Sequence, residues 1–428
     1  MPRTPASSPR HLIASAFVAF AAFGSFWGVW GASVPRVQHQ AGISDGQLGF
    51  ALLFVGAGAL PAMLLVGRAL DRWGLRVAAL VTGALGGVGA GLALTAVNLA
   101  SLCVGLAFVG ATSGAADVAE NAVAGRAEEI AGRPIITHAH GFFSGLVVLA
   151  SLATGLVSSL PLAVPFIAVA VLSLLAGTAL LKTLPAGVTA QGHDRVAASD
   201  SSPSGRWRIV PFLLIGVLGA LAFASENAHQ SWSAVFAHDE LHSGAGLSAV
   251  APAVFAGTVA ITRFATGGLK AAHARTALLA GAVAAAAGAA LIAAAPTLFI
   301  AGLGLAVAAA GTAVLFPTLI GIVSRTVDES RRGRATSVVT TVSYLGFIVG
   351  PVYVGLWADA VGLRGAMLAV AALAVGLFVL TPALLRLSGL GERGRRSHVR
   401  DEAARPFAIV DSGFIHGRTG GDRRPRSW

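Results

Sequence analysis

A chain of 428 residues that is 55% hydrophobic and only 11% charged is not a water-soluble globular protein, in which about a quarter of residues are charged. Its formal net charge of +11 does not mark a nucleic-acid binder, because the basic residues fall in breaks between apolar runs and in the C-terminal tail. A single cysteine, Cys103, excludes an intramolecular disulfide. No loop carries a phosphate-binding pattern or a metal-ligand cluster, so no cofactor, no metal and no enzymatic chemistry are expected.

Residues 1–10 form a polar, basic leader. The apolar stretch from Leu12 to Val34 is too long for a signal-peptide core and reads as a first span. A span takes about 20 mostly apolar residues, and twelve such segments follow one another: 11–34, 46–67, 76–97, 99–124, 138–159, 162–182, 209–235, 246–268, 274–294, 296–323, 334–357 and 362–386. The expected fold is an all-α integral membrane protein with 12 transmembrane helices in two six-helix bundles. A polar Ser/Pro-containing linker at 187–206 divides the bundles, 11–186 and 207–387, and residues 388–428 form a disordered, basic tail.

Twelve spans put both termini on one side, and Lys and Arg say which. Arg3, Arg10, Arg68, Arg72, Arg76, Arg126, Arg133, Lys182, Arg195, Arg206, Arg208, Lys270, Arg275, Arg325, Arg331, Arg332, Arg334 and the tail fall on that side; only Arg36 and Arg364 fall on the other. This bias predicts cytoplasmic termini in a multi-pass protein of the cell (inner) membrane. Arg263 lies within the eighth span near its inner end, where it could neutralise an acidic residue across the bundle but is expected rather to reach the headgroups. The basic tail would meet anionic lipid headgroups. The pattern also repeats: an offset of about 198 residues carries Arg10 onto Arg208 and Arg72 onto Lys270. Two halves of equal topology are related by an axis along the membrane normal.

The break between spans two and three reads Gly67-x-x-x-Asp71-Arg72-x-Gly74-x-Arg76. With the 6+6 layout and central linker, it resembles the signature loop of the major facilitator superfamily over about residues 11–387. Asp117 to Ala122, Gly132-Arg133-Pro134-Ile135, His140 to Ser144, Glu226 and Trp232-Ser233-Ala234 are similar to a fucose-permease-like branch of sugar symporters. The resemblance implies alternating access and a gating role for the loop, with Asp71 held at a helix N-terminus while the protein is open outward. The second-half counterpart, Arg263 to Gly268, has no acidic residue, so the latch is expected to be asymmetric.

In span four, Asp117, Glu120 and Asn121 recur at i, i+3, i+4 and share a face. Asp117 lies nine residues before Arg126, about 13 Å deep at 1.5 Å per residue. A carboxylate at such depth marks a proton or substrate path. Span seven supplies Glu226 and Trp232, and the repeat sets them against Trp27 and Trp30 of span one. Proton coupling is assigned to Asp117, Glu226 and Glu120. Substrate contact is assigned to Asn121, Trp30, Trp27, Trp232, Tyr344 and His140, the tryptophans serving equally well as an interfacial belt. Phe316-Pro317 is expected to kink span ten. The expected protein is a monomeric secondary transporter that moves a sugar-like or other polar small molecule with protons; a proton-driven efflux pump is the alternative.

Overall fold

The computed structural model describes residues 9–185, 209–267 and 270–389. The expected linker, the start of the leader and almost the whole tail lie outside the described residues. Every regular element described is helical. The first half comprises α1 (Pro9–Ala41), α2 (Asp45–Trp73), α3 (Val77–Thr95), α4 (Leu99–Ala131), α5 (Ile136–Leu156) and α6 (Ala163–Thr183). The second half begins with α7 (Val210–Val235), which continues as a π-helical turn over Phe236–Glu240. It goes on with α8 (Ala245–Ser248), α9 (Val250–Thr266), α10 (Ala274–Ala294), α11 (Leu298–Ala313), α12 (Leu315–Thr326) and α13 (Glu329–Ser388).

Among the described residues, eleven helical stretches are long and apolar enough to cross a bilayer, with α8–α9 and α11–α12 each counting as one. The last of them makes two crossings. Gly362 inside α13 has φ 78° and ψ 169°, a left-handed backbone that glycine adopts without Cβ strain. The Tyr353 hydroxyl donates to the Ala369 carbonyl at 3.1 Å, although sixteen residues of continuous helix would hold them about 24 Å apart. The chain therefore doubles back at Gly362, and the crossings described number twelve. The break between α11 and α12 falls at Val314, three residues before Pro317, close to the expected kink. The break at Ala249 between α8 and α9 likewise falls three residues before a proline, Pro252.

Local chemistry ends the helices in register across the repeat. Asn98 caps α4 by accepting from the Ser101 amide at 2.9 Å, and Thr297 caps α11 by accepting from Ile300 at 3.4 Å. The two caps occupy equivalent turns of the two halves. Gly74 closes α2 with φ 75°, and its amide donates to the Leu70 carbonyl at 2.9 Å. Arg76 ties the same turn to the end of α6 by donating to the Leu184 carbonyl at 3.0 Å. Glycine also sets the closest helix contacts. A Cβ at Gly110 would lie 2.0 Å from the Val55 carbonyl oxygen, and one at Gly346 would lie 1.8 Å from that of Ala220. Thus α2 meets α4, and α7 meets α13, backbone to backbone.

Three buried clusters show how the halves meet. One joins Phe26, Trp30 and Val34 of α1 to Leu48 and Leu52 of α2, and to Trp232, Phe255, Leu305 and Met367 of the second half. It lies toward the end remote from the Gly67–Arg76 turn. Toward the turn there are two separate cores. One holds Leu12, Phe20, Leu70, Leu75, Ile135 and Leu180 of the first half. The other holds Phe212, Leu278, Leu319, Val323 and Leu385 of the second. Among the described residues, the halves are sealed together at one end and share no buried core at the other. Phe264 of α9, packed on Gly141 of α5, is a contact between them on the unsealed side.

Candidate functional site between the two halves

The polar residues at middle depth collect where the halves face each other. In the first half, the amide nitrogen of Asn121 donates to the Asp117 carboxylate at 3.1 Å and to the Asp117 carbonyl at 2.8 Å. His140 Nε2 lies 3.2 Å from Asn121 Oδ1, and the Phe20 ring meets His140 edge-on at 4.8 Å. One turn of α4 and the first turns of α5 thus present a linked Asp–Asn–His row, with His140 exposed to the open space.

In the second half, Arg263 donates to Glu226 at 2.8 Å, with the guanidinium side chain 46% exposed and the carboxylate 13%. Arg263 does not reach for the headgroups, as the sequence led us to expect; it neutralises the one acidic side chain inside α7. The second carboxylate oxygen of Glu226 is buried without a partner among the described residues. Phe223 gathers Phe316, Tyr344 and Phe347 at ring distances of 4.2, 5.6 and 6.3 Å. The two rows face each other: Tyr344 lies within electrostatic reach of Asp117, and His140 within that of Arg263. Opposite charges, one imidazole and an aromatic wall can orient a solute that has both polar edges and a flat apolar face.

Other expected site residues sit elsewhere. Glu120 turns away from its neighbours at i−3 and i+1 and is 1% exposed, and neither of its oxygens has a hydrogen-bond partner among the described residues. Trp30 and Trp232, at 5% and 0% exposure, belong to the shared core of the sealed end. They form neither a platform in the open space nor an interfacial belt. Trp27 is half-buried, edge-on to Phe23 and Phe26. The loop residues Asp71 and Arg72 are exposed, with Arg72 5.9 Å from the Trp73 ring centre. Among the described residues Asp71 makes no ion pair. Nor do the described residues include any group of three or more His, Cys, Asp or Glu placed to hold a metal ion.

Two features escaped the sequence reading. The Glu226–Arg263 pair joins residues 37 positions apart, and the available signal was that these are the charges left inside α7 and α9. The second is a clasp at the sealed end. The carboxylate of Asp359 in α13 accepts from the Gly46 amide at 2.8 Å and from the Ser44 hydroxyl at 3.0 Å. It caps the N-terminus of α2 from the opposite half. A Cβ on Gly46 would lie 2.1 Å from Asp359 Oδ2, so a larger residue there would have to displace this carboxylate.

Fold and site together define a polytopic membrane protein of two six-span halves with a polar, aromatic-walled site on their common axis. The sequence profile of the Major Facilitator Superfamily matches residues 15–304 and 271–418, and the chain belongs to that superfamily. It is 31% identical over 205 residues to an uncharacterized MFS-type transporter of Yersinia pestis, covering 47% of this chain and 51% of that protein. It is 29% identical over 215 residues to an uncharacterized transporter of Sinorhizobium fredii, covering 48% and 54%. The chain thus spans about half the length of the curated relatives it matches. Among solved structures, a point mutant of the nucleoside transporter NupG superposes with a TM-score of 0.71 at 15% identity, covering 88% of this chain and 99% of that one. A bacterial homolog of the lysosomal transporter Spinster superposes with 0.71 at 15%, covering 90% and 98%. At such identity these likenesses establish the fold. The fucose-permease-like branch expected from the sequence finds no specific support among them.

Proposed function

We propose that the chain is a proton-coupled secondary transporter that carries a small solute across the cell membrane by alternating access, with both termini cytoplasmic. The observation that carries this reading is the pattern of cores: one common core at the sealed end, and two separate cores at the end bearing the Gly67–Arg76 turn. Two bodies joined at one end can exchange that seal for one at the other by rocking about the site between them. The Lys/Arg bias puts the unsealed end in the cytoplasm, so the conformation described is open inward. Asp71, free of ion pairs among the described residues, fits a loop whose latch forms when the protein opens outward. Asp117 and Glu226 are the residues assigned to proton coupling, since both lie beside the space between the halves, whereas Glu120 is sealed away from it at 1% exposure.

The solute is a polar metabolite of sugar or nucleoside size, held by Asn121, His140 and Tyr344. A second reading, proton-driven efflux of a more apolar compound, draws on the number of rings around the site: Phe20, Phe223, Phe316 and Phe347. The test is a substrate screen on proteoliposomes with and without an imposed pH gradient. Uptake that follows the proton gradient supports the first reading, and extrusion against it the second. No solute flux under either condition, from protein shown to be folded, overturns both.

A further inference from the structure

Glu226 and Arg263 form a pair whose members are unequally committed to it. The carboxylate is largely buried, whereas the guanidinium is half-exposed beside the space between the halves. They meet through one hydrogen bond, from Arg263 Nη2 to Glu226 Oε1 at 2.8 Å. The other oxygen of Glu226 is buried without a partner among the described residues. A guanidinium has five N–H donors in a planar fork that matches a carboxylate through two parallel bonds. Arg263 gives one donor to Glu226, and the other four make no hydrogen bond among the described residues. An ion pair that only held α7 against α9 would be strongest as a two-bond fork; this one leaves much of the guanidinium unused. Of the side chains described around the site, Arg263 alone carries a permanent positive charge.

We infer that the solute is a small organic anion whose carboxylate takes over the guanidinium of Arg263 as Glu226 accepts a proton from bulk water. This names the substrate class of the transporter proposed above and rests on that reading. One ion pair is exchanged for another: the Arg263–Glu226 bond breaks, bonds from Arg263 to the solute carboxylate form, and one proton ends on Glu226. Burial explains why the proton is needed. Released as an anion, Glu226 would be a largely buried charge without a counter-ion, which is costly; as a neutral acid it can stay in place. Solute and proton therefore bind together and leave together. The other titratable groups about the site are Asp117 on α4, His140 on α5 and Tyr344 on α13. His229, three residues beyond Glu226 on α7, instead bonds the Ser225 carbonyl at 2.7 Å. Phe223, one turn before Glu226, gathers Phe316, Tyr344 and Phe347 into an apolar wall. Asn121 and His140 offer hydrogen bonds from the opposite half. The solute is thus a carboxylate on a flat apolar body with a hydrogen-bonding group at its far edge.

The test uses the purified full-length protein and two probes of equal shape, 4-hydroxybenzoate and its uncharged counterpart 4-hydroxybenzamide. The acid should bind at least about tenfold more tightly than the amide, because its bonds to Arg263 are charge-assisted. In weakly buffered solution its binding should take up about one proton per anion, and its affinity should fall by up to about tenfold for each unit of rising pH. Glu226→Gln should still bind the acid, without proton uptake and without that pH dependence. Arg263→Gln combined with Glu226→Gln removes the pair without leaving a buried charge, and its melting temperature shows whether it is folded. It should lose the preference for the acid over the amide. Equal binding of the two probes, binding of neither, or proton uptake that persists in Glu226→Gln overturns the proposal. In the proteoliposome screen, proton-driven flux of uncharged solutes alone also overturns the anion assignment while leaving proton-coupled transport standing. Absence of any solute flux overturns both.

Discussion

Replacing Asp359 with alanine tests the clasp at the sealed end. The carboxylate accepts two hydrogen bonds from the other half, from the Gly46 amide at 2.8 Å and the Ser44 hydroxyl at 3.0 Å. A hydrogen bond contributes about 1 kcal/mol net. The two would give about 2 kcal/mol if buried, and exposure of the site lowers this to about 1–2 kcal/mol. Since 1.4 kcal/mol is a factor of ten, the balance between the sealed and opened forms of that end should move by about 5- to 30-fold toward opening. The helix itself keeps its cap, because Ser44 and Gln47 bond reciprocally at 3.3 and 3.1 Å. The effect should thus appear in the conformational balance and hardly in folding. Spin labels at Val97 and Pro296 sit in equivalent turns of the two halves at the sealed end, and the single Cys103 is removed as Cys103→Ser. Their distance distribution should gain a longer component in Asp359→Ala. An unchanged distribution, with transport also unchanged, would show that the clasp contributes nothing to the seal.

Four further outcomes are expected. Asp117→Asn should abolish accumulation driven by a pH gradient yet preserve counterflow exchange; full gradient-driven accumulation would remove Asp117 from coupling. Asp71→Ala should lower turnover by about tenfold with little change in substrate affinity, as expected of a contact made in only one of the two end states; an unaltered rate counts against a gating loop. Arg263→Gln should destabilise the protein by about 1–2 kcal/mol, less than for a fully buried pair because Arg263 is 46% exposed. Adding Glu226→Gln should restore most of the melting temperature, and a double variant as unstable as the single one would refute the pairing. Gly346→Ala should cost about 1–3 kcal/mol, since the new Cβ would lie 1.8 Å from the Ala220 carbonyl oxygen; a melting temperature equal to that of the unmodified protein would contradict the close α7–α13 contact.

The fold was readable because two crude signals agree. Apolar runs of bilayer length mark the spans, and the Lys/Arg asymmetry fits only an even number of them. Each signal sums over many residues, so single errors hardly matter. The site was less legible because it depends on helix rotation. Asp117 and Glu120 are three residues apart and share a face in projection, yet one bonds Asn121 beside the open space and the other is sealed in at 1% exposure. A spacing of i, i+3 leaves them about 60° apart around the axis, and only the neighbouring helices decide which sees the cavity. The same holds for Trp30 and Trp232, whose rings could have faced lipid, solute or core. Arg263 illustrates a different failure. Its depth suggested snorkelling, but the cost of leaving Glu226 uncompensated outweighs that option once α7 and α9 are adjacent.

The contacts also divide by kind, and this bounds any single-residue effect on movement between the halves. Inside each half, glycines bring backbones together, as at Gly110 on Val55 and Gly346 on Ala220; such contacts have no side chain that could swing aside, so each half resists deformation. At the unsealed end, the described contact across the seam is a side chain on a glycine, Phe264 on Gly141, and a rotamer change suffices to yield. At the sealed end the halves also meet through glycine, Gly49 on Pro351 and Gly155 on Gly246, above a core that includes Trp30 and Trp232. Opening that end must expose this core. Burying one such large side chain is worth about 1.5–3 kcal/mol, more than the clasp at Asp359. Asp359→Ala should accordingly bias the equilibrium without springing the seal. A variant that cuts into the core, Trp232→Ala, should shift the Val97–Pro296 distance further. If Asp359→Ala alone opened the sealed end completely, the common core could not be what holds the halves together.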